Sequence, residues 1–156
     1  REIMHSPTYG KISYEKMIEI IKEFINKSPD STYHISIGTD SQNFSYTKLV
    51  IVIAVHRVGS GGIFFYDIKN AKKITNISQK LFLETSASID LATKLSKSLH
   101  KEGINLGINI HVDVGKNGKT KKLIPEIVGW IKACGFSCET KPDSYAASCI
   151  ADRYTK

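Results

Sequence analysis

Residues 33–40, YHISIGTD, decide the fold when read with the two segments that follow, KLVIVIAVHRV (48–58) and GIFFYDIK (62–69). The first alternates apolar and polar side chains, the period of a strand with one buried face. The second is apolar without alternation, which suits a central strand covered on both sides. Between the second and third lies Gly59-Ser60-Gly61-Gly62, a turn by composition. Connections this short make the three strands an antiparallel meander.

Outward from this meander the period changes to that of helices. Residues 13–26 place Met17, Ile18, Ile21, Phe24 and Ile25 on one stripe, with Ser13 as a candidate N-cap. Residues 79–102 predict a long helix with Leu81, Thr85, Ala92, Leu95 and Leu99 inward, stopped by Gly103. INIHVDVG (108–115) is a fourth strand, KTKKLIPEIVGWIKACG (119–135) a single further helix, FSCETK a weak fifth strand, and DSYAASCIADRY a last helix. Without the N-terminal helix the order is β-β-β-α-β-α-β-α. No repeat or linker interrupts it, so residues 1–156 are expected to form one α/β domain, with 1–30 as a helical extension.

Composition limits the classes of function. With 41% hydrophobic and 24% charged residues the chain is globular, and no window approaches the apolar length of a transmembrane helix. The first residues lack the pattern of a secretory signal. Three cysteines, Cys134, Cys138 and Cys149, fit free thiols in a reducing compartment, so a cytoplasmic protein is expected. Cys134 and Cys138 have a spacing seen in zinc sites, but no second pair or nearby histidine completes one. A net charge of +7 favours polyanionic partners, nucleic acid above all.

Inside this basic chain the acids are arranged. Ile35-Ser-Ile37-Gly-Thr-Asp40 and Ile108-Asn-Ile110-His-Val-Asp113 share the pattern I-x-I-x-x-D, so each Asp lies on the strand face opposite its isoleucines. The alternative for each is a cap on the following turn. At about 100° per residue, Leu81, Ala92 and Leu99 fall about 60–80° from Glu84, whereas Asp90 falls on the outer face. Glu84 therefore looks inward. The same construction puts Asp143 on the packed face of the last helix and Asp152 outside; Asp143 also suits an N-cap after Pro142. Inward carboxylates need compensation. No inner-face Lys or Arg nearby in sequence would neutralise four, and a hard divalent cation would.

IGTDSQ, LFLETSAS, HVDVGKNGKT and KPDSYAASCIADR resemble the ribonuclease H-like superfamily over residues 33–156, and within it a bacterial YkuK-like group. The Asp143-Ser-Tyr-Ala-Ala run is also similar to the last-helix motif of Holliday-junction resolvases in that superfamily. The resemblance implies a five-stranded mixed sheet of order 3-2-1-4-5 flanked by helices, here with an extra N-terminal helix. It implies Asp40, Glu84, Asp113 and Asp143 as catalytic ligands of two Mg²⁺ or Mn²⁺ ions that hydrolyse phosphodiester bonds. The sequence departs from the family where Thr75-Asn76 is followed by Ile-Ser rather than a direct run to the helix glutamate. Trp130 is the only tryptophan, so the interleaved tryptophans of a hybrid-binding protrusion are absent.

Ser41 and Gln42 follow Asp40 and are candidates to bond substrate sugar or phosphate; turn stabilisation is the alternative. Lys116, Lys119 and Lys141 flank Asp113 and Asp143 and suit a phosphate backbone, or simply a solvated face. His111 shares parity with Asp113 and lines the same cleft or packs as a core histidine. Gly115 to Thr120 departs from the nucleotide P-loop, which would need glycine at Asp113. The expected function is a metal-dependent nuclease on RNA or DNA; the alternative is a nucleic-acid-binding module without turnover.

Overall fold

The computed structural model describes residues 2–113 and 118–140. Its elements are β1 (Ile3–Ser6), β2 (Gly10–Ser13), α1 (Tyr14–Asn26), β3 (Tyr33–Asn43), β4 (Thr47–Arg57), β5 (Gly61–Ala71), α2 (Ile77–Lys101), β6 (Ile108–Val112), α3 (Gly118–Lys121), α4 (Ile124–Ala133) and β7 (Ser137–Thr140). The predicted last helix, with Asp143, and residues Lys116, Lys141 and Cys149 lie outside the described residues.

Among the described residues one sheet holds seven strands in the order β2-β1-β5-β4-β3-β6-β7. Five of them, β5-β4-β3-β6-β7, reproduce the expected 3-2-1-4-5 arrangement, antiparallel through β5-β4-β3 and parallel through β3-β6-β7. The expectation of five strands is corrected by a hairpin of β1 and β2, which pairs with the edge of β5 through His5 and Tyr66. Ser6 organises its turn, its hydroxyl accepting from the Thr8 and Tyr9 amides at 3.2 and 3.1 Å. The hairpin covers an edge that would otherwise be open to pairing with another chain.

Alternation sorts the sheet into two faces. Ile35, Ile37, Ile51, Ile53, Phe65 and Ile110 join residues of α1, α2 and α4 in one buried cluster. The opposite face carries a small cluster of Val50 and Val52 beneath Tyr66. The meander is tight where β4 meets β5, since a Cβ on Gly62 would lie 2.6 Å from the Val55 carbonyl oxygen. Gly59 and Gly61 take positive φ in the turn beside it.

The helix expected over 119–135 is two pieces, α3 and α4, separated at Lys122 and Leu123. Pro125 sits in the first turn of α4. With no amide hydrogen and a ring that crowds the preceding turn, it starts a helix readily and does not continue one.

Candidate functional site

Strand alternation carries β3 to its site. Thr39 faces α2, where its hydroxyl lies 2.7 Å from that of Ser88. Asp40 therefore emerges on the other face, half-buried, with the Ser41 amide donating to its Oδ1 at 2.9 Å. β3 and β6 run parallel with Gly38 beside His111, and Asp40 and Asp113 each lie two residues beyond that pair. Both stand toward the same end of neighbouring strands, because Ile35 pairs with Ile108 and Ile37 with Ile110 and the I-x-I-x-x-D spacing is the same in each.

Glu84 approaches from α2. It lines a cleft together with Thr39, Ser88, His111 and Asp113. The Ser41 hydroxyl, one residue past Asp40 and so on the α2 side, donates to a Glu84 carboxylate oxygen. Burial pushes the Glu84 carboxyl up to about 7, and the charge of Asp113 adds to the rise. The Ser41 hydrogen bond and the Lys80 ammonium, one helical turn earlier, act against it and do not cancel it. Asp90 is exposed, as the helical phase required.

Three of the four sequence-predicted carboxylates are thus described. Glu84 and Asp113 line one cleft, whereas Asp40, on the face of β3 away from α2, is not among the residues that line it. Among the described residues, no group of three or more His, Cys, Asp or Glu side chains closes far enough to hold a metal ion. The donor chemistry itself fits a hard cation. Glu84 is desolvated next to a second carboxylate, so its charged form calls for positive charge that Lys80 does not fully supply.

The remaining predicted residues divide. Ser41 has its hydroxyl engaged by Glu84 rather than turned to solvent. Gln42 holds its side-chain carbonyl oxygen buried without a hydrogen-bond partner. Lys119 is exposed on α3. His111 lies with Glu139 of β7, their Nε2 and Oε2 atoms 3.9 Å apart. Asn109 donates to the same Glu139, so a polar row crosses from β6 to β7 on the face that Asp113 shares. Sequence reasoning missed Glu139 and Lys80. The alternation of FSCETK put Glu139 on a definite face, and the four-residue spacing of Lys80 and Glu84 is a plain helical pair.

The comparisons with known proteins agree with this geometry. A family model described as Ribonuclease H-like matches residues 16–156. The chain is also 34% identical to the Bacillus subtilis (strain 168) protein "Uncharacterized protein YkuK", over 99% of this chain and 97% of that one. No solved structure matches. The family match begins within α1. A mixed sheet of this order, acids at matching positions along β3 and β6, and a match over most of the length lead to one assignment: the chain belongs to the ribonuclease H-like family.

Proposed function

We propose that the protein is a divalent-metal-dependent nuclease whose site is built on Asp40, Glu84, Asp113 and Asp143. The observation that carries this reading is the half-buried Glu84 carboxyl, held by Ser41 and sharing a cleft with Asp113 in a chain of net charge +7. A basic protein that spends stability on facing carboxylates has a use for the cation they attract. The four acids would hold two Mg²⁺ or Mn²⁺ ions, which when bound supply Lewis-acid stabilisation of phosphate charge and a water of lowered pKa. The chain's own residues do the rest. Ser41 orients Glu84, and Lys116, Lys119 and Lys141 contact phosphates.

The test is Asp40→Asn and Asp113→Asn, each assayed on labelled single-stranded RNA and DNA, an RNA–DNA hybrid and a four-way junction with Mg²⁺ and with Mn²⁺. Cleavage is expected to fall at least about 100-fold while binding is retained. Undiminished cleavage by both variants would sink the proposal. A second reading, a binding module without turnover, is favoured by the absence of a three-ligand group among the described residues. It predicts salt-sensitive binding and no cleavage of any of the four substrates by the unmodified protein.

A further inference from the structure

Beyond Asp40, β3 runs on into a hairpin tip formed by Phe44, Ser45 and Tyr46. Both rings stand out of the protein, Phe44 42% and Tyr46 38% exposed. Their centroids are 5.4 Å apart. The tip is held firmly. The Phe44 amide donates to the Tyr46 carbonyl at 2.7 Å. Below it the Thr47 hydroxyl donates to Asn43 Oδ1 at 2.7 Å, Asn43 Nδ2 to the Ile74 carbonyl at 2.9 Å, and the Ile74 amide to Thr47 Oγ1 at 2.9 Å. These bonds fasten the tip to the segment after β5, which carries the exposed Lys72 and Lys73; Lys69 is exposed on β5 itself.

A turn has no need of two large rings, and their exposure leaves them outside the packed clusters. Rings held in place in advance lose little entropy on contact with a ligand. Aromatic faces take unpaired bases with little regard to sequence, and neighbouring lysines neutralise the phosphates between them. Bases inside a duplex are already stacked on both faces, so this combination suits a single strand. We propose that Phe44 and Tyr46, with Lys72 and Lys73 beside the tip, form a stacking platform for unpaired bases of a nucleic-acid strand that runs on to Asp40. At about 3.3 Å per residue, Phe44 lies about 13 Å along the strand from Asp40. That is about four stacked nucleotides at roughly 3.4 Å each. The inference rests on the nucleic-acid reading above and names the form of strand that the site receives.

The experiment measures fluorescence anisotropy of labelled 12-nucleotide single strands, one RNA and one DNA, and of the matching duplexes. It uses the full chain in EDTA, so that no cleavage intervenes. The Phe44→Ala/Tyr46→Ala variant is expected to bind single strands at least about tenfold more weakly, with the duplexes little changed. Its salt dependence should match that of the unmodified protein, because no charge is removed. Lys72→Ala/Lys73→Ala should instead flatten the logarithmic salt slope by about 0.7 for each phosphate no longer neutralised. Comparing the RNA and DNA arms identifies which strand is preferred. Unchanged single-strand affinity in the aromatic variant overturns the platform, as does equal weakening on duplex and single strand. It is also overturned if the variant changes the sedimentation of the protein while binding is unaltered, since the rings would then belong to a protein contact. A protein that binds single strands through these rings yet cleaves nothing would refute the nuclease reading alone. A protein that cleaves while the aromatic variant keeps full affinity would refute the platform alone.

Discussion

Glu84 joins the chemistry of the site to the stability of the fold. Its carboxyl is raised to about 7, so folding favours the protonated form. The stabilisation from that proton is fully present below the unfolded value near 4.5 and is lost as pH rises through about 7. Glu84→Gln removes the titration and keeps an amide within reach of Ser41. In EDTA the variant should melt close to the unmodified protein at pH 5, and about 4–8 °C above it at pH 8, the shift of roughly 2 kcal/mol in a chain of this length. Added Mn²⁺ should raise the melting temperature of the unmodified protein at pH 8 and do less for the variant. A difference between the two proteins that is constant from pH 5 to pH 8 would show that Glu84 does not titrate in this range. Helical phase alone put Glu84 inward and Asp90 outward, because a single period governs both. The Ser41 hydrogen bond was not legible, since it joins residues 43 apart in sequence and depends on how far α2 sits along β3.

Among the elements, β3, β4 and β5 were legible because their apolar runs are long and bounded by glycine, whereas the β1–β2 hairpin was not. Four residues per strand carry too few alternations to register, and the Ser6 turn bonds declare themselves only in space. The break between α3 and α4 is signalled by Pro125, whose preference for a first turn outweighs the continuous apolar stripe. The junction of α1 with the sheet shows a further tertiary device. The last turn of α1 carries no basic residue of its own. Arg57 at the end of β4 supplies one, donating to the Phe24 carbonyl and, from Nε at 3.0 Å, to the Tyr33 hydroxyl. Its guanidinium carbon lies 4.0 Å from the centroid of the Phe24 ring. Arg57→Ala loses the carbonyl bond, the dipole interaction and the stacking together. It should lower stability in urea by about 1–3 kcal/mol. Arg57→Lys keeps the charge without the planar fork and should recover only part of it. Full recovery by lysine would mean that charge alone holds the α1 end.

At the scale of the whole molecule, the buried cluster runs without interruption from one side of the sheet to the other. Met4 of β1 and Met17 and Ile21 of α1, all fully buried, belong to the same cluster as Ile110, Ile127 and Ile131. A shared core couples its parts, so residues expected from composition to form one domain should also unfold as one. Trp130 is a convenient reporter, because it lies on α4 against Phe82, with ring centroids 6.2 Å apart, while Met4 lies on the strand next to β5. Met4→Ala removes a fully buried side chain and should cost about 2–5 kcal/mol. If the core is continuous, tryptophan fluorescence and far-ultraviolet circular dichroism should both shift to lower urea by the same amount and remain coincident. A tryptophan transition left in place while the dichroism acquires an early phase would mean that the N-terminal hairpin and α1 form a separate unit. The sheet would then owe its covered β5 edge to an attachment able to detach without unfolding the site.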